Sequence, residues 1–396
     1  MTRALLFCCL IFAFGCKKNK DNNTTTPNGL AYDSVYNLYL KVSTNAFSTI
    51  RCSNGDIAML TVGKYNWMPT IYRHTQDGAL ISYTSVNISD SVFGYRPYFV
   101  SITEANDGNF LLCGRCSKKV PYNGSYILMS DIVVAKVNRS GDMIWHKSFG
   151  GDREEYGYLI MKTLDGNYLI GGKAESYSKD YYNDIYLVKI DDNGDMLWSK
   201  NYDAPEQQDI GDILETPEGN LFLSLTDNYG TGHSNLMWMM TDNNGNILWQ
   251  KRFAMGTNSD ASRAAMASNG DFILTYTIDK LHITRIDASG NQLWDIDNYQ
   301  DTGNMNFLFS AVDIKANSDN TFTVAGNAHS TNPYSQLFMM KIDGNGKQLF
   351  IKTIPGDYNN VPLNLLKADN GNNFITGNQS RDTSVSNVFF IKTNNY

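Results

Sequence analysis

Basic residues are in deficit and long apolar runs are nearly missing, and these two shortages set the first limits. Lysine and arginine number 33 against 40 acidic residues, for a net charge of −7. The charges are scattered, so there is no basic face of the kind nucleic acid demands, and nucleic-acid partners are excluded. An acidic surface mainly serves solubility. The one sustained apolar run, Ala4 to Phe14, is well short of the ~20 residues of a spanning helix. With a mean hydropathy of −0.35, a polytopic membrane protein is excluded as well. Histidine is down to five scattered residues, His74, His146, His233, His282 and His329, with no pair at ligand spacing. No serine or cysteine sits in a nucleophile context such as G-x-S-x-G, and nothing selects a pair among the many carboxylates. The expectation is that no residue is catalytic, ligates a metal or holds a cofactor.

Cysteine is also sparse. Of six, Cys8 and Cys9 fall in the apolar N-terminal run, leaving Cys16, Cys52, Cys113 and Cys116. Cys113-Gly114-Arg115-Cys116 has the C-x-x-C spacing of a redox dithiol or half a zinc site. Redox motifs of that kind open a helix, whereas this one ends a strand, Asn109 to Leu112. Residues three apart on a strand face opposite sides, so these are read as small buried residues.

What is present at the N-terminus reads as an export signal: Arg3, the short apolar run, then Ala13-Phe14-Gly15-Cys16. That ending resembles the lipobox of bacterial lipoproteins, in which the cysteine is acylated and becomes the new N-terminus. The resemblance implies a signal peptide over 1–15 and lipidation of Cys16. Lys17, rather than an aspartate, after the cysteine implies the outer membrane. Residues 16–33, rich in Lys, Asn, Asp and Thr, are too polar to bury a core and suit a flexible tether.

The body, 34–396, is repetitive. A glycine followed four residues later by an aromatic ring recurs at Gly141…Trp145, Gly194…Trp198, Gly245…Trp249, Gly290…Trp294 and Gly346…Phe350. A lysine lies two residues beyond four of these rings, at Lys147, Lys200, Lys251 and Lys352. Out of phase runs a second element, a polar turn feeding a strand. Its copies end at Ile57, Phe110, Tyr168, Leu221, Phe272, Phe322 and Phe374, with spacings of 53, 58, 53, 51, 50 and 52. Seven units of about 50 residues are what a β-propeller of four-stranded blades requires.

Each unit divides into four short strands, in the third Tyr156 to Thr163, Asn167 to Gly172, Asp184 to Ile190 and Asp195 to Tyr202. Asp-Gly and Asn-Gly dipeptides sit where tight hairpins need positive φ. The seventh unit stops after its third strand, Asn387 to Thr393, while Leu38-Tyr39-Leu40-Lys41 mimics a fourth strand ahead of the first unit. The expectation is an all-β, seven-bladed propeller of antiparallel blades, closed by an N-terminal strand that completes the last blade and removes its open edge.

The Asp191-to-Trp198 pattern resembles the tryptophan-docking repeats of quinoprotein-like propellers, and the alternation with Asp-Gly-Asn-Tyr strands resembles repeat-propeller lipoproteins of Bacteroidota. Quinoprotein dehydrogenases stack their cofactor on a disulfide of adjacent cysteines, and the only adjacent pair here, Cys8-Cys9, leaves with the signal. The repeat rings, Trp145, Trp198, Trp249, Trp294 and Phe350, are read as wedges buried between blades, ~200 Å² each. Asp191, Asn193 and Asp195 lack the glycine and glutamate of a calcium loop and read as a tight turn.

Function is sought where blades differ. One face carries two-residue turns; the other carries longer connections, at Ser117 to Ser130, Glu175 to Asn183, Asn228 to Asn235, His329 to Gln336 and Gln379 to Asn387. Variable loops on a rigid scaffold are where binding residues gather. These bring Tyr122, Tyr126, Tyr177, Tyr181, Tyr182, Tyr229 and Tyr334, a residue type that gives contact area at low entropic cost. The reading is a lipid-anchored, monomeric, non-enzymatic propeller that binds a protein, peptide or glycan on this face. The alternative is an exported carbohydrate-active enzyme with its site in the central funnel.

Overall fold

The computed structural model describes residues 34–36, 44–63, 67–88, 97–179, 182–229, 233–254, 263–278, 280–299, 308–329, 335–354, 359–367, 373–380 and 386–393. Within them there is no helix, and the strands form seven four-stranded antiparallel sheets. Six blades follow chain order, spanning 44–85, 98–149, 155–202, 207–254, 263–296 and 308–354. The seventh takes three strands from 359–393 and its fourth, Ser34–Tyr36, from the other end of the chain, with Val35 opposite Ile391. The chain is a seven-bladed β-propeller. Its described closing strand precedes the expected Leu38–Lys41, which lies outside the described residues.

Blade three shows why these residues make these elements. Its strands are Glu155–Lys162, Tyr168–Ala174, Asp184–Ile190 and Met196–Tyr202. In the first turn Gly166 takes φ +81°, and the Asp165 carboxylate accepts the Asn167 N–H at 3.1 Å. In the second, Asp191 accepts the N–H groups of Asn193 and Asp195, both at 2.9 Å. That carboxylate fastens its own turn.

The two middle strands of a blade are apolar on both faces because a neighbouring blade covers each side. One core cluster joins Leu111, Ile132 and Val134 of blade two to Ile160, Ile170 and Val188 of blade three. Cys113 belongs to that seam, whereas Cys116 belongs to the one between blades one and two. The two thiols are buried, are not joined in a disulfide and serve different cores.

The outermost strand carries the repeat ring, which grips the next blade. A Cβ added to Gly194 would lie 2.8 Å from the Trp145 ring, and one on Gly290 2.7 Å from Trp249. Lys147 then pairs with Asp195 at 2.9 Å, Lys200 reaches Asn246 at 3.1 Å and Lys251 reaches Asn291 at 2.7 Å. Glycine, ring and lysine are thus one latch, read across the seam. The rings are half-buried rather than enclosed, a correction that follows from their place on the rim, where one side of each faces solvent.

Candidate functional site: the channel mouth over blades two and three

The first strand of each blade lines the central channel, and nearly all of these strands carry a bulge: one extra residue at Phe47, Val100, Tyr158, Gly211, Val312 and Leu363. In blades two, three, six and seven the bulge presses main chain so closely against Gly114, Gly172, Gly326 and Gly377 of the second strand that a Cβ would clash. A Cβ on Gly114 would stand 2.0 Å from the Tyr98 carbonyl oxygen, and one on Gly172 2.1 Å from that of Tyr156. In blades two, four, six and seven the residue after the bulge turns its polar atom to another blade. Ser101 accepts the Ile160 N–H at 3.1 Å, Asp212 that of Ala264 at 3.1 Å, Asp313 that of Leu365 at 2.8 Å and Asn364 that of Thr49 at 3.0 Å. Burial pushes the Asp212 carboxyl up, opposed by Arg263 and Lys315. The channel carboxylates Asp212 and Asp313 are therefore engaged in holding blades together.

Just ahead of the bulge the repeat breaks. In blades two and three this position is a tyrosine, directly opposite a cation on the second strand: Tyr98 faces Arg115, and Tyr156 faces Lys173. The equivalent pairs are Asn45 and Val62 in blade one, Asp209 and Thr226 in blade four, Ser310 and Asn327 in blade six, and Val361 and Asn378 in blade seven. Among the described bulged blades only two and three set a tyrosine opposite a cation here, so the pairing is not one that ring closure needs.

Side chains converge here. The exposed Arg115 guanidinium is held between two rings, 4.9 Å from the Tyr156 centroid and 5.8 Å from that of Tyr98. Lys173 lies 5.5 Å from Tyr156 and 5.6 Å from Tyr158 and pairs with Asp209 at 3.6 Å. Such contacts are favourable because the ring face is negative. Tyr156 donates to Glu154, and its phenol is pushed up to about 12, by burial first and then by that carboxylate. Phe47 and Trp67 meet Tyr98 edge-on at 5.3 and 5.4 Å. Together Tyr98, Arg115, Glu154, Tyr156, Tyr158 and Lys173 line a cavity of about 410 Å³, within the range of small-ligand sites. Trp67 stands beside it at φ +54° and 52% exposed, a backbone conformation disfavoured for a bulky residue.

Of the tyrosines singled out from the sequence, Tyr122, Tyr126, Tyr177 and Tyr182 are on the same face but outside the cavity lining. Ser117 to Ser130 is no loop: strands Phe110–Tyr122 and Ser125–Val137 continue as one long hairpin turning at Asn123-Gly124, with Tyr122 and Tyr126 exposed at its tip. Its polar composition looked like a connection, but the Asn123-Gly124 turn sets an unbroken antiparallel register from Cys116 opposite Asp131 to Tyr122 opposite Ser125. Tyr126 lies under the Lys119 ammonium at 5.9 Å, while the exposed Tyr177 tilts against Tyr186 at 5.0 Å. The two groups thus have separate partners. Tyr182 is exposed beside Asn183, which lines the cavity. Tyr229 ends a strand of blade four, Leu221–Tyr229. Tyr181 and Tyr334 lie outside the described residues, as does Cys16. Trp67, Tyr98, Tyr156 and Tyr158 were missed because they sit in or against predicted strands. The available signal was the tyrosine placed alike in two successive units.

No family profile matches the chain, and no curated protein matches it in sequence. Likeness is found among solved structures. A protein of unknown function from Bacteroides caccae is 13% identical, with a TM-score of 0.44 over 75% of this chain and 94% of its own. One of unknown function from Dyadobacter fermentans is 14% identical, with a TM-score of 0.48 over 78% and 97%. A puromycin hydrolase mutant is 12% identical, with a TM-score of 0.51 over 87% of this chain but only 53% of its own. At such identities likeness speaks for architecture alone, and the architecture it shares is the β-propeller.

Proposed function

We propose that this chain is a membrane-tethered, non-enzymatic binding propeller that takes its ligand on the loop-rich face, at the cavity over blades two and three. The observation that carries the reading is Arg115: exposed, held between two tyrosine rings, and without a carboxylate partner among the described residues. A cation positioned this way is prepared for a ligand group rather than for the fold. The ligand is a protein, peptide or glycan, and the protomer acts as a monomer. Capture of ligands from native membranes tests the site. The triple variant Tyr98→Ala, Arg115→Ala, Tyr156→Ala should lose at least tenfold in capture, because a few aromatic and arginine anchors dominate binding. Undiminished capture by a folded triple variant would refute it.

The tether rests on the lipobox-like Ala13-Phe14-Gly15-Cys16 and on the resemblance that places such chains at the outer membrane. Cys16→Ser should abolish both fatty-acid labelling and membrane association while the propeller still folds. Label on both proteins would overturn the anchor.

A second reading, an exported carbohydrate-active enzyme, draws on one observation. Glu175 is pushed up by burial and by the neighbouring Glu154, and Glu154 lines the cavity. A carboxyl group raised in this way beside a second carboxyl group is the kind of arrangement from which glycoside hydrolysis draws its general acid. Turnover of a polysaccharide lost in both Glu154→Gln and Glu175→Gln would favour it; binding without turnover favours the first reading.

A further inference from the structure

Resting on the binding reading above, we infer that the unit seated in the cavity is a sugar acid, a pyranose bearing one carboxylate, presented by an acidic polysaccharide. Three features of the cavity select it. The first is charge. Lys173 is already paired with Asp209, so among the described residues lining the cavity Arg115 is the cation left to meet an anion. Its guanidinium forks onto a carboxylate with two parallel hydrogen bonds. Ring faces hold it in place beforehand, 4.9 and 5.8 Å away, which removes part of the ordering cost that binding normally carries.

The second is the carboxylate next door. Glu154 lines the same cavity and accepts the Tyr156 hydroxyl, and Glu175 lies near it. These anions oppose a doubly charged phosphate or a densely sulfated chain by like-charge repulsion. A ligand with one negative charge and many hydroxyls suffers little from them, and its hydroxyl groups donate to Glu154. The Asn183 side chain, also lining the cavity, offers both a donor and an acceptor.

The third is shape. Trp67 is 52% exposed and Tyr158 37% exposed, so flat aromatic surface remains open at the rim and in the wall. The negative face of an aromatic ring attracts the polarised C–H groups on one side of a pyranose. An acidic peptide could satisfy Arg115, but it has neither a rigid flat face for these rings nor a hydroxyl array for Glu154.

The test is titration calorimetry on detergent-solubilised full-length protein. The probes are tetramers of galacturonate, glucuronate, mannuronate and guluronate, their methyl esters, neutral hexose tetramers and tetra-glutamate. At least one uronate tetramer should bind, and its methyl ester, which has the shape without the charge, should bind about tenfold more weakly or worse, the scale of one lost charge-assisted pair. Arg115→Ala should bring acid and ester to the same affinity, and Arg115→Lys should restore part of the difference. Melting curves verify that both variants fold, and Arg115→Gln provides a second neutral variant. No uronate binding, equal binding of acid and ester, discrimination surviving in Arg115→Ala, or binding of tetra-glutamate alone would each overturn the sugar acid. If a neutral or peptide ligand is instead lost in Tyr98→Ala and Tyr156→Ala, the site stands with another ligand. If ligand capture is indifferent to those two changes, the site itself is wrong.

Discussion

Gly194 offers the sharpest test of how the blades are held together. It has φ +80°, and a Cβ there would stand 2.8 Å from the Trp145 ring of the preceding blade. Gly194→Ala therefore incurs two costs, which a second glycine separates. Gly270 has φ +86° with nothing within 4 Å of its would-be Cβ, so Gly270→Ala reports the backbone cost alone, about 1 kcal/mol. Overpacking adds typically 1–3 kcal/mol, and the half-exposed indole can yield somewhat, so Gly194→Ala should cost about 3 kcal/mol in total. Trp145→Ala removes about 100 Å² of docked ring, about 2.5 kcal/mol at 25 cal/mol per Å². With the ring gone the clash is gone, and Gly194→Ala in that background should cost only about 1 kcal/mol. The coupling of about 2 kcal/mol is read from guanidinium unfolding followed by far-UV circular dichroism, on residues 16–396 with Cys16→Ser. If Gly194→Ala and Gly270→Ala cost the same, or if removing Trp145 leaves the cost of Gly194→Ala unchanged, the latch is not what these residues form.

Three further outcomes follow from the same structure. His74 is fully buried against Phe390 at the seam between blades one and seven, and burial lowers its pKa from 6.5 to about 4. Its contribution is fully present above pH 6.5 and is lost as pH falls toward 4, because the unfolded chain takes the proton first; the loss approaches about 3 kcal/mol. His74→Phe should flatten stability over that window, and an acid slope equal to wild type would exclude His74 as its source. Burial pushes Cys52 and Cys116 up to about 11, and Cys113 higher still, so in the same 16–396 protein all three thiols should resist labelling at pH 8 until denaturant is added; rapid native labelling would contradict their placement. Trp67→Asn replaces a bulky residue at φ +54° with one that tolerates that conformation, so stability should hold or rise by up to about 1 kcal/mol while ligand capture falls. A destabilised variant with full capture would reverse that assignment.

The sequence determined the number of blades, the strand order and the turns, because each is a local matter repeated many times. A period near 50, an Asp-Gly hairpin and an apolar run of strand length mean the same thing wherever they occur. Even the partners of the latch were present as glycine, ring and lysine in fixed order, although the order conceals that the ring at Trp145 grips Gly194 of the next unit rather than its own Gly141. The long hairpin Phe110–Val137 was misread as a connection for a physical reason: strands that leave the core lose the apolar alternation by which strands are recognised. The site depended on tertiary structure altogether. Tyr98 and Tyr156 are 58 residues apart, and Arg115 and Lys173 lie on different strands from either. Only a bulge that pushes the first strand against Gly114 and Gly172, and a ring closure that sets blades two and three side by side, bring two rings to one guanidinium. Local periodicity fixes what each unit becomes; which side chains meet across a seam is set by register between units, and no single repeat contains it.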